Sequence, residues 1–391
     1  MDYLKRSKEL FDESLSHRRF LHQIPEIGLN CTQTMNYIEK QILEIGCQPV
    51  RCGSGIVVTL GKQSGKTILL RSDVDALPMK EESELPFRSQ CENAHTCGHD
   101  FHGAMMLTAA KMLKENEGSL KGCIKLMFQP GEETFMGSKD MVAHGLLSDP
   151  EPDVCLAYHV SSGNTPVGLF MYNDSSTMMN SSDNFTIEII GKGSHGAYPE
   201  SGIDPINIAC HLVLALESII AREVTSNTAN VLTIGKIEAG DAGNIIPNEA
   251  KLYGTLRCDN NEQREFILKR LNEVSSSIAA SFRGSAKVIL TSGTPPLICD
   301  KKSVDDFVKY MKELPVENQM GINGIHAGAS DDLAVILQKI PGAYMYLSAG
   351  FTDGREVYAQ HHPKVVFNED VLISGPAYLA HCATRWLEEN C

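Results

Sequence analysis

The chain has 391 residues, 42% hydrophobic and 21% charged, a balance typical of a soluble globular protein with room for two sizeable cores. Its formal charge of -14, with no run rich in Lys and Arg, argues against nucleic-acid binding, which needs a basic footprint. The charged opening from Met1 to Phe11 does not read as a secretory signal, and no later stretch offers about 20 unbroken apolar residues for a membrane span. A cytoplasmic protein is expected, its twelve scattered cysteines mostly reduced and without a CxxC pair.

Residues Asp2 to Leu21 carry apolar positions at helical spacing (Leu4, Leu10, Phe11, Leu15, Phe20, Leu21), and Pro25 ends that helix. A second helix runs from about Thr32 to Ile45. Gly53 to Gly61 and Thr67 to Arg71 read as short strands with turn glycines, and helices followed by apolar strands suggest an α/β sheet. The second strand delivers Asp73 and Asp75 to its C-terminal end, where open α/β sheets build their sites. Simple turn chemistry explains such a pair equally well.

The densest chemistry follows, in His95-Thr96-Cys97-Gly98-His99-Asp100-Phe101-His102-Gly103. Thiolate and imidazole suit zinc and its first-row neighbours, and a carboxylate beside a ligating imidazole commonly orients it. Gly98 allows close backbone approach between Cys97 and His99. Taken alone, Cys97 and His99 fit a buried thiol and a helix cap as well as a metal site. Gly103 to Leu113 then reads as a buried helix, and Gly122 to Gln129 as a buried strand that ends in Glu132-Glu133. Adjacent carboxylates repel unless a cation or proton intervenes, so one could ligate while the other, its pKa raised, acts as a general base. Asp153 to Tyr158 is a further strand, closed by His159. Three strand ends thus present Asp, Glu-Glu and His.

Asn184 to Ile190 alternates polar and apolar, as a half-buried antiparallel strand does. After the glycine-rich turn Gly191 to Pro199, which holds His195, come an amphipathic helix (about Pro205 to Ala221), strands Asn230 to Gly235 and Glu249 to Arg257, a helix (about Glu262 to Ser281) and a strand near Ala286 to Leu290. This β-α-β-β-α-β order reads as a ferredoxin-like insert. The expected fold is α/β: a larger catalytic domain with a central, mostly parallel sheet (1–180 and 292–391), interrupted by a smaller α+β domain (181–291) that serves as lid or dimerisation element. The resumed segment has a helix from Ser303 to Leu314, a turn at Ser330-Asp331-Asp332 leading into Leu333 to Gln338, and a strand from Ala343 to Leu347. The loop Gln360-His361-His362-Pro363 and a closing helix, Val371 to Leu387, complete the chain.

Together, the motif His95 to Met105, Arg71-Ser72-Asp73-Val74-Asp75-Ala76-Leu77-Pro78, Phe128-Gln129-Pro130-Gly131-Glu132-Glu133, His159, Gly191-Lys192-Gly193-Ser194-His195 and His361-His362-Pro363 resemble the amidohydrolase branch of the binuclear-metal aminoacylase/carboxypeptidase superfamily. That branch includes hippurate hydrolases, N-acyl-amino-acid amidohydrolases and indole-acetyl-amino-acid hydrolases, and the likeness spans essentially the whole chain. It implies that Cys97, His99, Glu133, His159 and His361 ligate two divalent metal ions (zinc, manganese, cobalt or nickel), Cys97 replacing the bridging Asp of other branches. Family register selects His361 over the adjacent His362. The resemblance makes Glu132 the general base, with Asp100 grouped beside it as catalytic, and His195 and Asn244 substrate contacts, His195 across the subunit boundary in dimeric relatives. Asp73 and His102 would orient ligands without touching metal, with packing or capping the competing reading for His102. Arg257 is a further candidate. Ser330-Asp331-Asp332-Leu333 stands where relatives usually show Ser-Glu-Asp-Phe, a departure that bears on the acyl pocket.

The activity implied is hydrolysis of the amide bond of N-acyl amino acids, hippurate-like or acetylated, by metal-activated water. The partners expected are that small-molecule substrate and a second copy of the chain through the smaller domain, with no nucleic acid and no membrane. A dipeptidase or carboxypeptidase is the nearest alternative. A non-catalytic metal-binding protein with a closed site is another, and it leaves Glu132 without a role.

Overall fold

The computed structural model describes residues 1–62 and 64–391. Helices α1 (Tyr3–Glu9), α2 (Phe11–His22) and α3 (Thr32–Glu44) precede strands β1 (Pro49–Cys52), β2 (Gly55–Gly61) and β3 (Thr67–Asp73). Then come α4 (His99–Glu115), β4 (Cys123–Gln129), β5 (Val154–Ser161) and β6 (Leu169–Tyr172). A second set follows: β7 (Ser182–Ile190), α5 (Pro205–Ser218), β8 (Asn230–Ala239), β9 (Glu249–Cys258), α6 (Asn261–Ser281) and β10 (Ser285–Thr294). The chain closes with α7 (Lys301–Glu313), β11 (Met320–Asn323), β12 (Gly342–Ser348) and α8 (Val371–Asn390).

These elements form two compact units, Met1–Met178 with Ile298–His326 and Asp331–Cys391, and Met179–Leu297 with Ala327–Ser330. Residues 327–330 fall with the insert and not with the outer segment, where the sequence places them; the Ser330 hydroxyl donates to the Asn180 carbonyl and ties them there.

The larger unit is built on one eight-stranded sheet in the order β1-β2-β4-β3-β5-β12-β6-β11. Its centre is parallel (β4 with β3, β3 with β5, β5 with β12), and β1 and β2 are added antiparallel at one edge. Every residue of β3, β4 and β5 is buried, which is why these strands read as mainly apolar. Parallel alignment sends their C-terminal ends to one side, so Asp73 stands level with Gln129, and His159 with Tyr346. From His99 to Ala110 α4 is buried residue by residue, a central helix rather than an amphipathic surface one.

Two local expectations change. The opening helix is two, broken at Leu10 (φ -96, ψ 7), whose side chain is buried in the core. β6 and β11 carry little sequence signal, β11 being exposed at all four positions.

The smaller unit is a four-stranded sheet, β8-β9-β7-β10, antiparallel throughout, the ferredoxin-like arrangement. Phe185, Ile187 and Ile189 of β7 face inward, as their alternation predicted, and pack with Leu252 and with Ile208, Leu212 and Leu271 of the two helices. Residues Pro205–Glu223 form a helix long and apolar enough, by length and composition, to cross a membrane. Ile208, Leu212, Leu216 and Ile219 spend that apolar character on this unit's own core. All twelve cysteines are unpaired.

Candidate metal centre

The site begins where β3 stops. Asp75, just past the strand, accepts hydrogen bonds from the backbone N–H groups of Glu132 (3.0 Å) and Glu133 (3.1 Å), so one buried carboxylate fixes the turn after β4. Its backbone carbonyl accepts from His99 Nδ1 at 3.0 Å, which directs His99 Nε2 away from it. The chain enters α4 through Gly98 at φ +95, where a Cβ would lie 2.4 Å from Val160 Cγ2. Gly98→Ala should therefore lower stability by about 1–2 kcal/mol from the left-handed backbone alone, with the clash added. Thermal melting together with metal content checks this.

Donor atoms from four segments converge. Cys97 Sγ lies 3.6 Å from His159 Nε2 and 3.3 Å from His361 Nε2. Glu133 Oε1 lies 3.4 Å from His361 Nε2 and 4.0 Å from His99 Nε2. Such separations are those of atoms sharing cations at about 2.0–2.3 Å from each. His99 Nε2 and Glu133 Oε1 are buried with no hydrogen-bond partner, a costly condition that a bound cation relieves. A thiol, three imidazoles and a carboxylate suit a divalent transition ion. The residues fit the group.

Electrostatics point the same way. His159 donates Nδ1–H to the Val160 carbonyl at 2.7 Å; burial and the neighbouring His102 hold its pKa well below the ordinary value, which keeps Nε2 a neutral lone-pair donor. The Cys97 sulfur and the Glu133 carboxylate beside it push His361 up to about 10. Burial opposes charge on His99, yet Asp73 and Cys97 hold its pKa well above normal. The pocket is electronegative enough to attract positive charge, whether protons or metal.

The remaining residues take distinct places. His102 Nε2 accepts from the Val160 N–H at 2.9 Å, so Nδ1 carries the proton and donates to Asp73 Oδ1. With both nitrogens used, His102 braces β5 next to His159. Asp73 Oδ2 lies 3.4 Å from His99 Nε2 and 2.8 Å from Arg71 Nη1. Asp100, one position on from His99 and so about 100° around the helix, turns away from the donors. It pairs with Arg18 and His22 at 2.8 Å each, and His22 Nε2 faces Glu81 at 3.1 Å. The catalytic place expected for Asp100 has no geometric counterpart at the donor cluster. His361 joins the cluster at φ +66, a strained backbone of the kind found at ligand clamps, whereas His362 stacks on Tyr358 with centroids 4.4 Å apart.

Glu132 is buried, and burial, then Asp331 and Glu133, push its pKa well above the ordinary carboxylate range. The surrounding acidic residues are held by Arg71, absent from the expected site. Its guanidinium reaches Asp331 (3.0 and 3.2 Å), Asp73 (2.8 Å) and Asp332 (3.2 Å), and Nε donates to Gln129 at 2.9 Å.

In the smaller unit His195 and Asn244 are neighbours. His195 pairs in register with Ile245, and the Gly196 N–H donates to the Asn244 carbonyl at 2.8 Å. His195 Nδ1 accepts from the Ala197 N–H at 3.0 Å, which places the ring proton of the neutral form on Nε2. His195 lines a cavity of about 1120 Å³ together with Ala242, Ile245 and Lys251. Arg257 donates to Ser330 Oγ at 3.0 Å.

Residues 69–385 match the description "Peptidase family M20/M25/M40". The chain belongs to that family. An N-acetyl-L-cysteine deacetylase of Bacillus subtilis (strain 168) is 36% identical over 95% of this chain and 88% of its own. The hippurate hydrolase of Campylobacter jejuni is 33% identical over 96% of each. The crystal structure of the Bacillus subtilis YXEP protein, described as a dinuclear metal binding peptidase from the M20 family, superposes with a TM-score of 0.79 at 26% identity, covering 97% of this chain and 99% of that one. The M20 chain is accordingly a metal-dependent amidohydrolase of the two-unit α/β type, and the donor cluster is its candidate metal site.

Proposed function

We propose that this M20 amidohydrolase cleaves the amide bond of N-acyl amino acids, with two divalent cations held by Cys97, His99, Glu133, His159 and His361 and with Glu132 as general base. The observation that carries the reading is the meeting of those five donors beside a buried carboxyl that is not one of them. Zinc, manganese, cobalt or nickel there would supply Lewis acidity at the amide carbonyl and lower the pKa of a water. The chain's own groups do the rest. Glu132 takes the proton of the attacking water and delivers it to the leaving nitrogen, a task that suits a carboxyl whose pKa burial raises above the ordinary range. Asp75 holds Glu132 and Glu133 in place through their backbone; Asp73 and His102 orient His99 and the His159 strand. Asp100 works at one remove, by fastening the start of α4 to Arg18 and His22.

His195 and Asn244 contact the substrate, and the smaller unit (181–291) acts as lid and dimerisation element to the catalytic part (1–180 and 292–391). Support for a homodimer comes from β8, an outer strand that exposes Val231 and Ile237. A monomer mass by light scattering would remove that part. A thiol among the ligands suits the reducing cytoplasm.

Relatives named for N-acetyl-L-cysteine and hippurate favour acyl amino acids. A relative named thermostable carboxypeptidase 2 from Saccharolobus solfataricus, 32% identical over 96% of this chain, keeps peptide cleavage as the second reading. The test is metal-stripped enzyme reloaded separately with the four ions and assayed on acetyl-, benzoyl- and indole-acetyl amino acids and on dipeptides. Restored cleavage of an acyl amino acid is the expected result; cleavage of dipeptides alone would replace the first reading with the second.

A further inference from the structure

Gln360 stands one residue before the strained His361, and neither the ligand set nor the mechanism above uses it. Its side-chain amide nitrogen donates to the Cys97 carbonyl at 3.0 Å, to the Val160 carbonyl at 3.3 Å and to Cys97 Sγ at 3.6 Å. An amide has two N–H bonds, so the carbonyls take one each and the sulfur shares. Because all three partners accept, the orientation of the amide is fixed by its surroundings. Next to it the His361 N–H donates to the Thr96 carbonyl at 3.1 Å, so the loop at 360–361 is stitched to the loop at 96–97 twice.

Val160 is the junction of these contacts. Its carbonyl accepts from Gln360 and from His159 Nδ1, and its N–H binds His102. One amide thus touches Cys97 directly, His159 through a shared carbonyl, and His361 through the peptide bond. These donors come from the start of α4, from β5 and from the loop before α8, and His361 must hold φ +66 to be among them. Partners of this kind orient ligands and tune the metal they bind. A hydrogen bond to a thiolate draws electron density from sulfur, so the cation beside it receives less and stays a stronger Lewis acid.

We propose that Gln360 is a positioning residue of the metal centre, fixing Cys97, His159 and His361 as one unit and tempering the donor strength of the Cys97 sulfur. It rests on the reading that Cys97 ligates as a thiolate. The experiment uses the full chain loaded with cobalt(II), in the wild type and in Gln360→Met and Gln360→Glu, which keep the side-chain length and remove the amide donor. The sulfur-to-cobalt charge-transfer band reports donor strength, and chelator competition reports affinity. In both variants the band should move to lower energy, and cobalt should be held about 10- to 100-fold less tightly. A residue that only filled space would lower affinity and leave the band where it was. That result overturns the proposal. If Gln360→Met does not fold, the band of Gln360→Glu decides in the same way. A wild type that binds cobalt without any sulfur band overturns the thiolate centre itself, a failure separate from an unshifted band in the variants.

Discussion

Glu132→Gln should keep the wild-type metal content and melting behaviour while kcat falls by about 100- to 10,000-fold, the range general acid–base groups contribute. Glu132 is buried, its backbone N–H is held by Asp75, and its side chain is not one of the five converging donors. Glutamine preserves the shape and cannot take a proton. Stability should hold or rise, because glutamine cannot ionise beside Asp331, Asp332 and Glu133. Steady-state kinetics alongside metal analysis measures this. Unaltered turnover would end the assignment of Glu132 as base, and loss of metal would make it a ligand instead.

Arg71→Met should cost about 3–5 kcal/mol of unfolding free energy, the penalty of removing one partner of a buried ion network. The side chain has no exposed surface and reaches Asp73, Asp331 and Asp332, so its loss leaves three carboxylates in the interior without their cation. Because Asp73 also binds His102 and lies beside His99, metal affinity should fall together with stability. Urea unfolding of the metal-free protein separates the two effects. An unchanged midpoint would mean that the acidic residues take up protons and do not need the guanidinium.

The parts of this site that lie close together in the chain were readable from it. Cys97, Gly98 and His99 announce themselves by density, and strands β3, β4 and β5 by mainly apolar runs that lead into acidic residues or histidine. Contacts made only by folding were not. Arg71 and Asp331 are 260 residues apart, and a buried arginine in an apolar strand gives no sign of its partner. Asp75 looked like turn chemistry because its role is to hold backbone N–H groups supplied by residues 57 and 58 positions later. Asp100 sits within the motif, yet one helical step turns it towards Arg18 and His22. Of the adjacent pair His361 and His362, residue type alone did not choose; in the folded chain it is the His361 ring, on a left-handed backbone, that faces Cys97. The break at Leu10 and the exposed strand β11 escaped for a simpler reason: neither disturbs the hydrophobic period on which the reading depended.

Anomalous diffraction at the zinc edge, on crystals of zinc-loaded protein, tests the central claim most directly. Two peaks per chain, both enclosed by Cys97, His99, Glu133, His159 and His361, are the predicted result. One peak alone, peaks elsewhere in the molecule, or none would contradict it.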